Sequence, residues 1–561
     1  SQIATVFSSL KNNEIDIARN CLAKLCHPLE HIVLNIEDDY LRPLYSIFSI
    51  IYNRYRGFAF MEYPYVDLEF LKSHSYLYNN SFTAPIRTCG RFHFFSGNID
   101  PSLLKNCFFK GEFKFINAGE KNHIEGSFFQ YRGFCVLRPI GMPVARASVE
   151  FDIRTGETVS RDCPEVSLLP GEVDGSPCLT CSEKVKAHIF STKIFIDSPQ
   201  YVQEESNLGH CGPSSVWVAT HAMENWLGAV PSQFLDISYK TRVPHSSDHI
   251  QNIPFDPYDS SEGIEARKLE EFLTQAGCSV FHSALKSELT PLANYATILG
   301  DIYSFIESGL PVILFIHNPN RNEAHAVTLV GHSLPNDINI GPLSCPFALS
   351  LENARKHKIL GTGINIYYAH DNAYGPFNRI NFLRPTNNIS PPSLQVEIGT
   401  KKEKYLFDGA FLVGPSEVRN YGISIPYEYG PFRDHLEKYF DKITDAWIVW
   451  RKFLTSGGDF KNSLLRRNFS PKTIEAYNSM HLPKYIWVYE FSVEKDFLRI
   501  SRQNNSNAVR HIWGEVLLDA TAKGDCRKIP VAYRLGNVIC DPFGARCVVG
   551  EGKTYENYTR N

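Results

Sequence analysis

Gly209-His210-Cys211-Gly212-Pro213-Ser214-Ser215-Val216-Trp217 is the stretch on which the reading of this chain turns. A glycine-bearing loop gives way here to a run that is apolar on nearly every side. Val216, Trp217, Val218, Ala219, Ala222, Met223, Trp226 and Leu227 all fall within a helix drawn from Cys211 to Leu227. A helix apolar all round belongs at the centre of a fold. Gly228 is the stop signal just past its end, and Pro213 suits the first turn, where a missing N–H does no harm. Cys211 therefore stands at the helix N-terminus, where unpaired backbone N–H groups and the macrodipole favour negative charge. With an imidazolium beside it, a thiol so placed falls from about 8.5 to roughly 3.5–7.5. Gly209 and Gly212 leave room for an approaching carbonyl.

Working outward, a partner for the thiol is found downstream. Ile298, Ile302, Phe305 and Ile306 share one helical face, and that helix closes at Gly309-Leu310-Pro311. Val312 to Ile316 reads as a strand, His317 to Glu323 as a polar loop, and His325 opens the next strand, His325-Ala326-Val327-Thr328-Leu329-Val330-Gly331. A later strand, Ile364 to His370, ends at Asp371. If these two strands pair antiparallel, the start of the first lies beside the end of the second. Asp371 could then accept one ring N–H of His325 and leave the other nitrogen for the thiol. Asn372 could serve through its amide oxygen, but alternation puts the two side chains on opposite faces, and Asp371 is preferred. His210, His317, His332 and His370 compete for the role of base, among 19 histidines in all. An acyl-transfer intermediate also needs donors for its oxyanion. The Cys211 N–H is one, and the side-chain amide of Gln203 is the candidate for the second.

These residues, taken in order, resemble the papain superfamily of cysteine peptidases, and within it the bacterial leader-peptide-processing (bacteriocin-processing) peptidases. The pattern is met by Gln203, Cys211-Gly212-Pro213, Gly277, Gly309-Leu310-Pro311-Val312, His325-Ala326-Val327 and Asp371. It spans Phe195 to Phe377, roughly a third of the chain. The resemblance implies a central helix on an antiparallel sheet, with Cys211 as nucleophile, His325 as base, Asp371 as its orienter and Gln203 in the oxyanion hole. Gln203 precedes Cys211 by a slightly longer gap than the family pattern. The His332 to Gly363 stretch is much longer than a hairpin and reads as a lid or exosite.

Composition sets the frame around this core. With 561 residues the chain exceeds one core, and 43% hydrophobic with 21% charged residues is ordinary for a globular protein. The 28 Tyr and 38 Phe favour β structure and thick cores. A formal net charge of −3 gives no case for a polyanionic partner. The chain begins Ser1-Gln2-Ile3 with no basic and apolar leader pattern, and no window nears the roughly 18 apolar residues of a membrane span, so a cytoplasmic protein is expected. Fourteen irregularly spaced cysteines do not resemble a disulfide scaffold, and reduced thiols are expected. Cys178-Leu179-Thr180-Cys181, with Cys163 and His188 in reach, has only one ligand pair of a zinc site and reads as an incidental loop dithiol.

The fold class expected is α+β, a papain-like core flanked by mixed regions. Residues 1–187 form an N-terminal region, 188–385 the catalytic domain and 386–561 a C-terminal region. Within the first, Ile32 to Ile36 reads as a strand, followed by a helix capped near Asp38 or Asp39, with Leu44, Ile47, Phe48 and Ile51 on one face and Pro43 in its first turn. Phe92 to Phe95 and Gly133 to Leu137 read as strands, and Leu169 to Ser182 as a loop or hinge. Thr386 to Ser393 is the second linker, and Tyr485 to Tyr489 and Glu515 to Leu518 are strands beyond it. The expected activity is hydrolysis of a peptide or isopeptide bond through Cys211, His325 and Asp371. An acyltransferase with the same triad, or an inactive scaffold that binds proteins, is the alternative. No cofactor, no metal, no nucleic acid and no membrane partner is expected; the partner is a protein or peptide substrate.

Overall fold

Leu44, Ile47, Phe48 and Ile51 do share a buried helical face, in α1 (Asp38–Tyr55). Pro43 lies in the helix's second turn and not its first. The structure, a computed structural model, describes residues 38–55, 57–78, 87–139, 144–149, 176–179, 181, 183–203, 211–227, 237, 266–320, 323–334, 357–385, 395–398, 403–421, 434–436, 438–439, 447–465, 469–493, 512–524, 526, 529–536, 538–540 and 547–549. The Ile32 to Ile36 strand, Gly209, His210, Gly228 and the Thr386 to Ser393 linker lie outside the described residues. Helices and largely antiparallel sheets are both plentiful, so the fold is α+β.

After α1 come β1 (Phe58–Tyr65), α2 (Leu68–Tyr78), β2 (Cys89–Gly97), α3 (Pro101–Lys110), β3 (Phe115–Asn117), β4 (Asn122–Ile124), β5 (Ser127–Leu137) and β6 (Val144–Val149). The aromatic runs at 92–95 and 133–137 fall in β2 and β5, which pair along their length. β1 covers the outer edge of β2, while β4 and β6 share the far edge of β5. Asp100 caps α3 by accepting the Ser102 N–H at 2.7 Å, Pro101 occupies its first turn, and Gly111 ends it in the left-handed region. β7 (Ser176–Leu179), β8 (Lys184–Ile189) and β9 (Thr192–Asp197) follow, with β3 running parallel beside β9. β7 corrects the reading of 169–182 as a loop: it pairs with a strand of the central sheet.

The central part contains α4 (Cys211–Ala222), α5 (Glu224–Leu227), α6 (Ala266–Gln275), β10 (Cys278–Ser283), α7 (Pro291–Glu307), β11 (Val312–Asn318), β12 (Glu323–Leu334), β13 (His357–Ile359), β14 (Ile366–Asp371), β15 (Gly375–Leu383), β16 (Gln395–Ile398) and β17 (Glu403–Pro415). β11, β12, β14, β15, β16 and β17 pair in that order, and β17 pairs back onto β11, closing a barrel. Such closure removes exposed sheet edges. β10 joins the second half of β17, and β7 continues the β11 edge of β12. α7 has Thr290 as N-cap and Gly309 in the left-handed region just past its end. Its predicted face (Ile298, Ile302, Phe305, Ile306) is fully buried. Leu299 and Tyr303 are buried as well, because α7 packs on the barrel and on β18 (Ile448–Ser456).

β18 opens a second sheet with α8 (Gly457–Ser463), α9 (Pro471–Ser479), β19 (Tyr485–Val493), β20 (Gly514–Asp519), β21 (Pro530–Leu535), β22 (Val538–Cys540) and β23 (Cys547–Val549). β19 and β20 carry the two strands read beyond the linker. β13 adds to this sheet parallel to β18, so the end of the long 332–363 stretch docks on the C-terminal sheet. The expected limits of 188–385 do not match the sheets. β7 lies before them, and β16 and β17 beyond them, yet all three pair in the central sheet. The cores merge as well, with one apolar cluster running from Leu41 and Phe48 through Trp217 and Ile302 to Trp450 and Tyr533. Composition could not reveal this, because a strand's sheet is chosen by long-range pairing. Among the described residues no helix is long and apolar enough to cross a membrane. The expectation of reduced thiols throughout is corrected at Cys540, which is disulfide-bonded.

Candidate active site

α4 is buried on every side from Gly212 to Thr220, as its sequence requires of a central helix. It is shorter than expected: the helix breaks at Met223, and Glu224–Leu227 forms a separate turn. Three contacts fix its position. The Thr328 hydroxyl on β12 donates to the Ser215 carbonyl at 3.0 Å, so the first turn is tied to the barrel. Trp217 Nε1 donates to Glu69 on α2 at 3.2 Å. Gly212 faces α6, where an added Cβ would come within 3.0 Å of Leu269 Cδ1. This corrects the reading of Gly212 as an opening for substrate, since its missing side chain serves helix packing. Cys211, the first residue of α4, stays partly exposed.

β12 supplies two groups to that sulfur. The Ala326 N–H donates to Cys211 Sγ at 3.2 Å, and the His325 ring, on the preceding residue, interacts electrostatically with the same sulfur. β12 and β14 pair antiparallel, Thr328 opposite His370, which brings the start of one beside the end of the other as predicted. His325 Nε2 lies 3.1 Å from Asp371 Oδ2, leaving Nδ1 for the sulfur. Asp371 is fully buried, and its Oδ1 accepts the Ala373 N–H at 2.8 Å and the Tyr374 N–H at 3.2 Å. With both oxygens engaged, the carboxylate cannot swing away from the imidazole. Asn372 faces elsewhere in the turn, and its backbone carbonyl accepts the Tyr201 hydroxyl at 3.2 Å.

The electrostatics of this triad are those of an ion pair. Burial pushes the Cys211 thiol up. The hydrogen bond and charge of His325, joined by the Ala326 N–H, outweigh burial and hold the thiol below its ordinary value. Burial likewise disfavours imidazolium at His325, but the charge and hydrogen bond of Asp371, followed by those of Cys211, raise the ring well above its usual range. Thiolate and imidazolium therefore stabilise each other, which is the form in which a cysteine is nucleophilic.

Gln203 is buried against β6, with its Oε1 accepting the Val144 N–H at 3.0 Å and its carbonyl accepting from Arg138 at 2.6 Å. No hydrogen bond joins it to the triad among the described residues. The oxyanion role expected of it would fall to the other end of that amide, its NH2. The described competing histidines are engaged elsewhere. His317 pairs with Asp408 at 2.6 Å, His332 with Glu307 at 2.7 Å, and His370 Nδ1 with the Gln200 carbonyl at 3.0 Å. Two participants escaped sequence reading. Ala326 stood in the motif without a chemical role, because a backbone donor leaves no trace in side-chain identity. Gly375, whose φ is +112°, pairs with Asp371 across the β14–β15 turn, and α1 presses on it through Pro43 and Ser46. Among the described residues no group of three or more His, Cys, Asp or Glu could hold a metal ion. The chain matches no protein-family model, no curated protein and no solved structure.

Proposed function

We propose that the chain is a cysteine peptidase with a papain-like core, hydrolysing a peptide or isopeptide bond. One observation carries the reading: a partly exposed helix-start thiol receives a backbone N–H at 3.2 Å from the residue next to an imidazole that is itself held 3.1 Å from a buried carboxylate. Structural cysteines are inert because burial keeps them protonated. Cys89 and Cys278, for example, are pushed up to about 12 by burial.

In the reaction, the Cys211 thiolate attacks the scissile carbonyl carbon, and the negative charge moves from sulfur to the carbonyl oxygen. The N–H groups at the start of α4, with the Gln203 amide as the proposed second donor, receive that oxyanion. The His325 imidazolium protonates the leaving amine as the C–N bond breaks, giving a thioester on Cys211. Neutral His325 then takes a proton from water, whose oxygen attacks the thioester and expels the thiolate. Asp371 keeps the ring oriented and supports its charge throughout.

The test compares newly formed N-termini in native cells expressing wild-type and Cys211→Ala protein. Termini that appear only with the wild type support hydrolysis. Amide-bonded products formed with an added amine would move the reading to acyl transfer. Equal labelling of Cys211 by an electrophile in wild type and in His325→Ala would leave an inactive scaffold.

A further inference from the structure

Outside the site around Cys211, three phenylalanines gather at one end of the small β3–β9–β8 sheet. Phe109 ends α3 and is 75% exposed, Phe115 begins β3 at 64%, and Phe190 sits in the β8–β9 turn at 60%. The rings of Phe109 and Phe190 meet edge-on at 5.8 Å. β3 and β9 run parallel, with Phe115 opposite Lys193, so Phe115 lies at the same end as the turn. Single exposed apolar residues are ordinary, but a cluster of large ones marks a contact surface.

The backbone at the apex points the same way. Ile189 pairs with Thr192, leaving Phe190-Ser191 as a two-residue hairpin turn, and Phe190 has φ +51°. Turns of this kind favour Asn or Gly at that position, because a bulky side chain in the left-handed region is strained. A phenylalanine kept there and turned to solvent does nothing for the core. Beneath it the sheet divides by alternation. Val185, Ala187, Ile189, Ile194 and Ile196 are buried in the N-terminal core, while Lys186, His188 and Lys193 face outward.

Lysines surround the aromatic tip. Lys110, Lys114 and Lys193 are exposed next to these phenylalanines in the chain or across the sheet, with Lys186 farther back on β8; the exposed carboxylates Glu112 and Glu125 lie near α3, and Lys184 and Asp197 offset each other. In a chain of net charge −3 this is a local positive region. We infer that the Phe109–Phe115–Phe190 tip with its lysines is a docking surface for an anionic lipid membrane. The aromatic rings protrude and do not line a groove, which suits insertion between acyl chains at the interface, and lysine stems can lie along them with their ammonium groups at the headgroup phosphates. Anionic headgroups add attraction for each nearby lysine. This contact does not span the bilayer and is independent of the chemistry at Cys211.

The experiment is co-sedimentation of the full chain with vesicles of phosphatidylcholine alone or mixed with phosphatidylserine. Binding is expected only to the mixed vesicles and should weaken in high salt. Phe109→Ala and Phe190→Ala should each lower vesicle affinity about tenfold. Lys114→Gln and Lys193→Gln should each lower it about fivefold, with thermal unfolding unchanged in all four variants. No binding to the mixed vesicles, or binding indifferent to all four substitutions, overturns the assignment. Retention on immobilised polyglutamate without vesicle binding also overturns it and assigns the tip to an acidic protein.

Discussion

The backbone N–H of Ala326 meets the sulfur of Cys211 at 3.2 Å, one residue along β12 from the His325 imidazole. A single strand thus delivers both the proposed general base and a fixed hydrogen bond to the proposed nucleophile. The two groups cannot drift apart, because the Thr328 hydroxyl on the same strand holds the first turn of α4 through Ser215. The donor lowers the energy of the thiolate before substrate arrives, and its geometry belongs to the backbone and not to a mobile side chain.

The pH profile should follow from the paired shifts. As pH falls through the folded value of Cys211, which lies below the ordinary thiol range, the sulfur is protonated and attack stops. As pH rises through the folded value of His325, which lies well above 6.5, the leaving group loses its acid. Alkylation of Cys211 by iodoacetamide, followed by peptide mass spectrometry, should therefore be fast at neutral pH, where Cys89 and Cys278 stay silent. If all thiols react alike, the ion pair is absent.

Asp371→Asn should retain the turn and lose the chemistry. An amide whose oxygen accepts from Ala373 and Tyr374 presents its NH2 to His325 Nε2, which selects the wrong tautomer. Turnover should drop about 10²–10⁴-fold. The alkaline limb should move down toward the unperturbed histidine value, a shift that purely structural damage would not produce.

Gly375→Ala probes the support beneath Asp371. A Cβ there would come within 2.9 Å of Ser46 Cβ and 3.0 Å of Pro43 Cα, at a φ that L side chains rarely adopt. A loss of about 1–3 kcal/mol in unfolding free energy is expected, with slower labelling of Cys211. Normal stability together with normal labelling would mean that α1 does not brace the turn.

Arg451 joins the C-terminal sheet to the barrel. It donates to Glu307 on α7 at 2.7 Å and to Glu490 on β19 at 2.8 Å, and Glu307 also meets His332 on β12; all four side chains are buried. Arg451→Ala strands two carboxylates and should destabilise by about 3–5 kcal/mol, read from denaturant midpoints. A change below about 1 kcal/mol would show the two sheets held by apolar packing alone.

Glu183 is buried, and burial raises its carboxyl to about 8, opposed in part by the Gln200 amide. The folded state therefore keeps a proton that the unfolded chain releases near 4.5. This stabilisation is complete below the unfolded value and is lost as pH rises through about 8. Glu183→Gln should raise the melting temperature at pH above 8 by an amount equivalent to a few kcal/mol at most, and leave it unchanged in acid. Equal effects at both pH values would count against the buried proton.

The secondary structure around the site was legible because local rules govern it. The apolar run after Cys211 could only be a central helix, Gly309-Leu310-Pro311 could only end α7, and the runs opening at His325 and Ile364 read as the strands that became β12 and β14. The α4 break at Met223 was not legible, since the apolar pattern continues through it to Leu227. Nor were the barrel's limits: β7 lies in a stretch that reads as a loop, and β17 lies beyond the expected domain limit, until they pair. Gln203 fitted a pattern, and only the fold shows its side-chain oxygen engaged with Val144.

The sequence by itself determined which residues could make a reactive thiol, because helix-start position, residue type and order are properties of the chain read locally. Tertiary structure alone decided that β12 would bring His325 and Ala326 to Cys211, that Arg451 would bind two sheets into one core, and that Phe109, Phe115 and Phe190 would share a tip. Each of those joins residues distant in the chain. Their meeting depends on strand pairing and burial summed over the whole fold, which no local window of sequence encodes.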